Sequence, residues 1–210
     1  MKVYTIQSID FWKTLMRDGI VYCNQESYWC QNFRLQYDWM AEQMRKRIGE
    51  PPLPEIKYPV WVWQQFNSKK APTPKMSPKE INPEENEAVM MELEVPDNEV
   101  LLSNLNLWML PLNSWAISSK RENKMLYQEL GEYEKTHGKC FTMTEYPPAI
   151  RQKIIDSWVR VFDLDTFDPY RSSHIRKNRS IQGTIWYLRK EWVKVAHVFN
   201  RHSEIKRIVY

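Results

Sequence analysis

Ten tryptophans, eleven tyrosines and seven phenylalanines, set against five glycines, constrain this 210-residue chain more than any other feature. Each ring buries a large area, and Trp and Tyr also need a polar partner at one end. Such a chain folds around an aromatic core. The glycine shortage argues against a Gly-rich phosphate cradle, and neither GxGxxG nor GxxxxGKS/T occurs. Apolar residues make up 42% and charged residues 27%. That balance excludes wholly disordered, collagen-like and coiled-coil chains. The length suits one domain with a sizeable core.

No apolar run approaches the ~20 residues of a bilayer crossing, so no membrane association is expected. The start, MKVYTIQSIDFW, lacks the apolar segment and small-residue cleavage site of a signal peptide. Cys23, Cys30 and Cys140 are an odd number without framework spacing. A cytoplasmic protein with free thiols is the expectation.

Periodicity predicts the elements. Residues 2–6 read as a strand, and Ser8 caps a helix over 9–18 that stops at Gly19. Residues 20–22 are extended. A helix spans 33–48, with Tyr37, Met40, Ala41, Met44 and Ile48 as its stripe, before EPPLPE forbids more helix. Tyr58–Phe66 is a strand with Val60 and Val62 on one face and Trp61 and Trp63 on the other. The proline- and charge-rich residues 67–87 read as an exposed loop. Ala88–Val95 alternates cleanly, with Glu92 and Glu94 on the polar side. Residues 100–112 predict a short strand and an aromatic turn around Trp108. Helices follow over 122–135, with Met125, Leu126, Leu130 and Tyr133 inward, and from Pro147 to Phe162. After a polar stretch over 163–180, strands are expected over 181–188 and 193–199. His197 shares a face with Val195 and Phe199 and reads as a hydrogen-bonded core histidine. Together these predict one α+β domain over 1–210, with a mixed, mostly antiparallel sheet and peripheral helices.

Charge is uneven. Residues 171–210 hold ten Lys and Arg against two acids, while the other 170 residues carry a balance of −4. This basic C-terminal lobe offers Arg176, Lys177, Arg179 and Lys190 to nucleic acid or an acidic protein. No nucleic-acid-binding motif accompanies it.

Other chemistry is weakly signalled. His137-x-x-Cys140 has ligand spacing, but Cys23 and Cys30 are too far apart for a tight second zinc pair, so no metal site is assigned. Asp163, Asp165 and Asp168 lack the glycine and closing glutamate of a calcium loop. No GxSxG elbow is present. Glu92 and Glu94 share a strand face, which is the arrangement acid/base work would need in a cleft and also that of an ordinary solvated sheet face.

Several segments together carry a resemblance: VYTIQSIDFW and GIVY, YDWMAEQMRKRIG, YPVWVWQQF, MELEVPDNEVLLSNLNLW, SWVRVFDLD and IQGTIWYLRKEWV. They resemble an uncharacterised bacterial domain family of small stand-alone proteins, over Val3 to about Phe199. That resemblance implies no activity. It implies acidic residues where this chain has Asn104 and Asn106.

VYTIQSIDFWKTLMRDGI and IQGTIW are also distantly similar to the ADP-ribosyltransferase fold, which opens with a strand carrying His or Arg, a short helix and a Gly. A late strand there carries Q-x-E or E-x-E. The resemblance implies that NAD or a related nucleotide is held by the first strand and an aromatic pocket, with the late Glu stabilising an oxocarbenium-like state. In this chain Thr5 stands for the His or Arg, Gln182 opens the late pair, and Thr184 replaces its Glu. The implied cleft has Thr5, Gln7, Tyr37, Trp61 and Trp63 on the cofactor and Gln182 at the reacting end. Glu92, Glu94 or Glu191 is left to supply a carboxylate. It requires the opening strand to lie beside the strand carrying Gln182. Two rival readings stand beside it: an interaction protein acting through the basic lobe, and a hydrolase using Glu92 and Glu94.

Overall fold

The alternation of KVYTIQS makes residues Lys2–Ser8 strand β1, and the chain turns directly into helix α1 (Ile9–Asp18). The Ser8 hydroxyl accepts from the Phe11 N–H at 3.0 Å, satisfying one of the free amides of the first turn. Gly19 closes the helix at φ 77°, with its N–H on the Leu15 carbonyl. That left-handed conformation costs a residue with a Cβ about 1–2 kcal/mol. Trp12 and Leu15 are the buried positions of α1.

The computed structural model describes residues 1–66, 75–81, 83–118, 120–165, 180–202 and 204–208. The chain divides into two compact units, one of residues 1–102 with 180–210 and one of residues 103–179.

In the first unit β2 (Ile20–Tyr22) is followed by α2 (Tyr28–Asn32) and α3 (Arg34–Ile48). The α3 stripe is as expected, with Tyr37, Met40, Ala41 and Met44 buried. The short α2, capped by Ser27, was not legible from periodicity because five residues are barely more than one turn. Strands β3 (Val60–Gln65), β4 (Glu87–Glu94), β5 (Leu101–Asn104), β6 (Ile181–Ile185), β8 (Val193–Asn200) and β9 (Ile205–Ile208) join β1 in one seven-stranded sheet. Its order is β5-β6-β3-β1-β4-β8-β9, and every pairing with a defined register is antiparallel. The α+β architecture with a mostly antiparallel sheet is thus the one the sequence pattern implies.

Strand β4 has two unlike faces. Val89, Met91 and Leu93 are fully buried on one, while on the other Ala88 and Met90 are buried and only Glu94, at the strand end, is exposed with Glu92 half-buried. Burial at about 25 cal/mol per Å² makes such a face one of the larger favourable contributions to this unit.

Three expectations need correction in this unit. The strand predicted over 181–188 is two strands. The chain leaves the large sheet after Ile185, and β7 (Tyr187–Arg189) pairs with β2 in a separate two-stranded sheet. Trp186 sits at the break, 2% exposed, with its indole N–H on the Gly49 carbonyl at 2.9 Å. The stretch 67–87 is not wholly exposed: Ile81 is buried against Tyr4, Ala88, Met90 and Phe199, with Met76 packed beside it. Residues 67–74 lie outside the described residues. His197 is only half-buried, and its Nδ1 is buried without a hydrogen-bond partner.

In the second unit residues 105–112 form a helix, α4 (Leu105–Leu112), where an aromatic turn was expected. The cause is local. The Asn104 side-chain carbonyl accepts from the Asn106 and Leu107 N–H groups, which starts the helix. Helix α5 spans Lys120–His137, and Met125, expected inward, is exposed. The last predicted helix is α6 (Pro148–Ser157), which gives way to a 3-10 turn over Trp158–Phe162. Ser157 marks the change, taking the Ile117 N–H on a hydroxyl that donates to Ile154. Arg160 meets the Glu122 carboxylate with two hydrogen bonds at 2.7 and 2.6 Å. No described helix is long and apolar enough to cross a membrane.

Candidate functional site

Register decides which of the candidate residues share a surface. Directly opposed residues on paired strands place their side chains on the same face of a sheet. Trp63 opposes Gln182 across β3 and β6, and Tyr4 opposes Trp63 across β1 and β3. Tyr4 also opposes Glu92, and Glu92 opposes Val195. The result is one continuous row across five strands: Gln182, Trp63, Tyr4, Glu92, Val195. Trp61 opposes Thr184 on the same face, one step along.

Thr5 and Gln7 alternate away from Tyr4 and so occupy the opposite face. The expected adjacency of the first strand and the Gln182 strand is also not realised, because β3 lies between β1 and β6. Thr5 is fully buried, donates from Oγ1 to the Trp61 carbonyl at 2.9 Å, and accepts from Gln7 Nε2 at 2.8 Å. The bond to Trp61 ties β1 to β3, and the Gln7 bond orients the Thr5 hydroxyl from within β1.

The aromatic candidates separate into two roles. The Trp61 indole N–H donates to the Tyr37 hydroxyl at 3.1 Å, with ring centroids 6.0 Å apart. Both belong to a cluster with Cys30, Tyr58, Cys23 and Phe33. Burial pushes the Tyr37 phenol well above its ordinary range. Trp63 is half-buried and meets Phe66 edge-on at 5.8 Å. Gln182 is buried, as is Thr184.

The carboxylates are each matched to a lysine. Glu92 lies 2.6 Å from Lys2 Nζ, and Glu94 lies 3.5 Å from Lys194 Nζ. Burial, and then the Glu92 charge, raise the Tyr4 phenol. Three interstrand spacings separate Glu92 from Gln182 along the row, about 14 Å in all. That is too far for both to act on one reacting atom, and it is within the length of a dinucleotide.

Lys190 is exposed and donates to the Met16 carbonyl at 3.4 Å. Glu191 is exposed, with Arg189 at 3.4 Å. Arg176, Lys177 and Arg179 lie outside the described residues, as does Asp168. Among the described residues no group of three or more His, Cys, Asp and Glu is placed to hold a metal ion.

The second unit has a cleft that the sequence did not reveal. Its volume is about 420 Å³, and its lining includes Trp115, Tyr127, Phe141, Met143 and Tyr146. Trp115 is 60% exposed. The cleft arises where α5 and the 143–145 turn approach, so no local pattern announces it.

No curated protein and no solved structure matches this chain. A family model described as a domain of unknown function, DUF3841, matches residues 2–194. The expectation of an uncharacterised family therefore holds over almost the full length, and the chain belongs to the DUF3841 family.

Proposed function

We propose that this protein is an ADP-ribosyltransferase-like scaffold that binds NAD or a related nucleotide on the sheet face bearing Trp63 and Gln182. The observation supporting this reading is the row Gln182–Trp63–Tyr4 across three adjacent strands. An indole face offers stacking to a nicotinamide or nucleobase, and Trp63 is the half-buried member of the row, with the buried Gln182 amide behind it. Trp61 and Tyr37 stiffen the wall beside Trp63, because their polar ends are bonded to each other. Thr5 and Gln7 hold β1 in place and do not touch the ligand.

Binding is the activity proposed, not group transfer. Gln182 and Thr184 carry no charge, and an oxocarbenium-like state needs a nearby carboxylate for its main stabilisation. Glu92 is bound to Lys2 and stands three strands away.

Thermal unfolding with increasing NAD tests the reading. A free ligand concentration 100 times the dissociation constant stabilises the fold by about 2.7 kcal/mol. Trp63→Ala and Gln182→Ala are expected to remove the shift, and Thr5→Val is expected to keep it. No shift of the native protein at millimolar NAD would overturn the proposal.

A further inference from the structure

Cys23 follows β2 and Cys30 lies within α2, and the six residues between them fold back on themselves. The turn is held by the Ser27 N–H on the Asn24 carbonyl at 3.1 Å and the Glu26 N–H on the Asn24 side chain at 3.0 Å. The two sulfurs lie 3.5 Å apart as free thiols. Cys30 is 2% exposed within the Tyr37 and Tyr58 cluster, and Cys23 is half-buried at its edge.

We propose that Cys23 and Cys30 form an oxidation site that closes to an intrachain disulfide with hydrogen peroxide. The sulfurs stand one short movement from bonding distance, since a disulfide bond is about 2.05 Å long. The connecting turn is short and solvent-facing, so it absorbs that movement without disturbing the large sheet. A thiolate is the reactive form. The hydrogen bond from the Cys23 thiol lowers the Cys30 thiol to about 7, while the same contact raises Cys23. Cys30, at 2% exposure, is closed to a bulky disulfide such as oxidised glutathione, and the half-buried Cys23 lies at the edge of the cluster.

The chemistry closes without further reagents. The Cys30 thiolate attacks one peroxide oxygen, an S–O bond forms, the O–O bond breaks, and the departing hydroxide takes a proton to become water. The Cys23 sulfur then attacks the Cys30 sulfenic sulfur. An S–S bond forms, the S–O bond breaks, and hydroxide leaves with the Cys23 proton as a second water. Two thiols are oxidised and one peroxide is reduced.

Cys140 is an internal control. Its thiol is raised by partial burial and by the Glu145 and Glu134 carboxylates. Cys23 and Cys30 lie on one tryptic peptide, residues 18–34. After brief peroxide treatment of the intact protein at neutral pH, alkylation and mass spectrometry should find that peptide two hydrogens lighter and unalkylated. Dithiothreitol should reverse both changes. The pair should oxidise before Cys140, whose thiol is raised above its ordinary value. Cys23→Ser should leave a sulfenic acid on Cys30 that dimedone traps, and oxidised glutathione should leave the native pair reduced. A pair that stays fully alkylatable at a dose that modifies Cys140, or that gains oxygen in place of losing hydrogen, would overturn the proposal.

Discussion

Trp63 on β3 lies directly opposite Gln182 on β6, so an indole and an amide from segments more than a hundred residues apart share one face of the central sheet. Tyr4 extends the pair across β1, and the buried side chain of Thr5 points the other way. One residue of register separates a wall of the proposed binding face from the tie that holds it.

Between these two residues and the opposite face stands Gly183, and its hydrogen is required. A Cβ there would lie 2.7 Å from Val100 Cγ1, 3.1 Å from Val62 Cγ2 and 3.3 Å from Leu102 Cδ2. Two of those neighbours are valines, whose χ1 is stiff. Gly183→Ala is expected to destabilise the protein by about 1–3 kcal/mol through overpacking. Urea unfolding measures it, and an unchanged midpoint would show that β5 can move aside.

Thr5→Val keeps the shape of the side chain and removes both of its hydrogen bonds. The position is fully buried, so the cost is expected at about 1–2 kcal/mol. Equilibrium denaturation checks the loss. A stability equal to that of the native protein would mean that the bond to the Trp61 carbonyl contributes nothing.

Asn104 offers a test with two directions. Its side-chain oxygen caps α4, while its Nδ2 is buried without a partner. Asn104→Ala removes the cap and should cost about 1–2 kcal/mol. Asn104→Asp keeps both accepting contacts but exchanges the orphaned donor for a charged oxygen at a site 1% exposed, and its desolvation outweighs the favourable helix-start charge. It is expected to be less stable than the native protein at neutral pH and to regain stability at acid pH as the carboxyl is protonated, which differential scanning calorimetry at the two pH values will show.

Alkaline pH should weaken the first unit through Tyr37. The fold accommodates the neutral phenol, and burial raises it above its ordinary value of 10.0. The associated stability is therefore fully present below pH 10 and is lost as pH rises through the raised value. Phenolate absorbance during an alkaline titration should show late-ionising tyrosines, Tyr37 among them, together with unfolding. Tyr37→Phe should reduce that late amplitude by one tyrosine and also cost about 1 kcal/mol by removing the acceptor of the Trp61 indole.

Local patterns carried much of the architecture. Ser8 and Gly19 bracket α1 because a cap hydroxyl and a left-handed stop act within a few residues. The alternation over 88–95 identifies a buried face because side-chain direction in a strand has period two. The same logic misread 181–188, where composition is uniformly strand-like and only the Trp186 bond to Gly49 marks the change of sheet. It also missed α4, whose apolar residues surround the helix and leave no polar face to betray the period.

The amino-acid order settled the cap and stop of α1, the buried stripe of α3 and the core-facing side of β4, because these follow from contacts between near neighbours. The assembly of a site did not follow from it. Whether Gln182 meets Trp63 or Gln7 depends on which strands pair and in which register, and a shift of one residue exchanges every side chain between the two faces of the sheet. The folded chain placed β3 between β1 and β6, and so joined Gln182 to Trp63 while turning Thr5 and Gln7 to the far side.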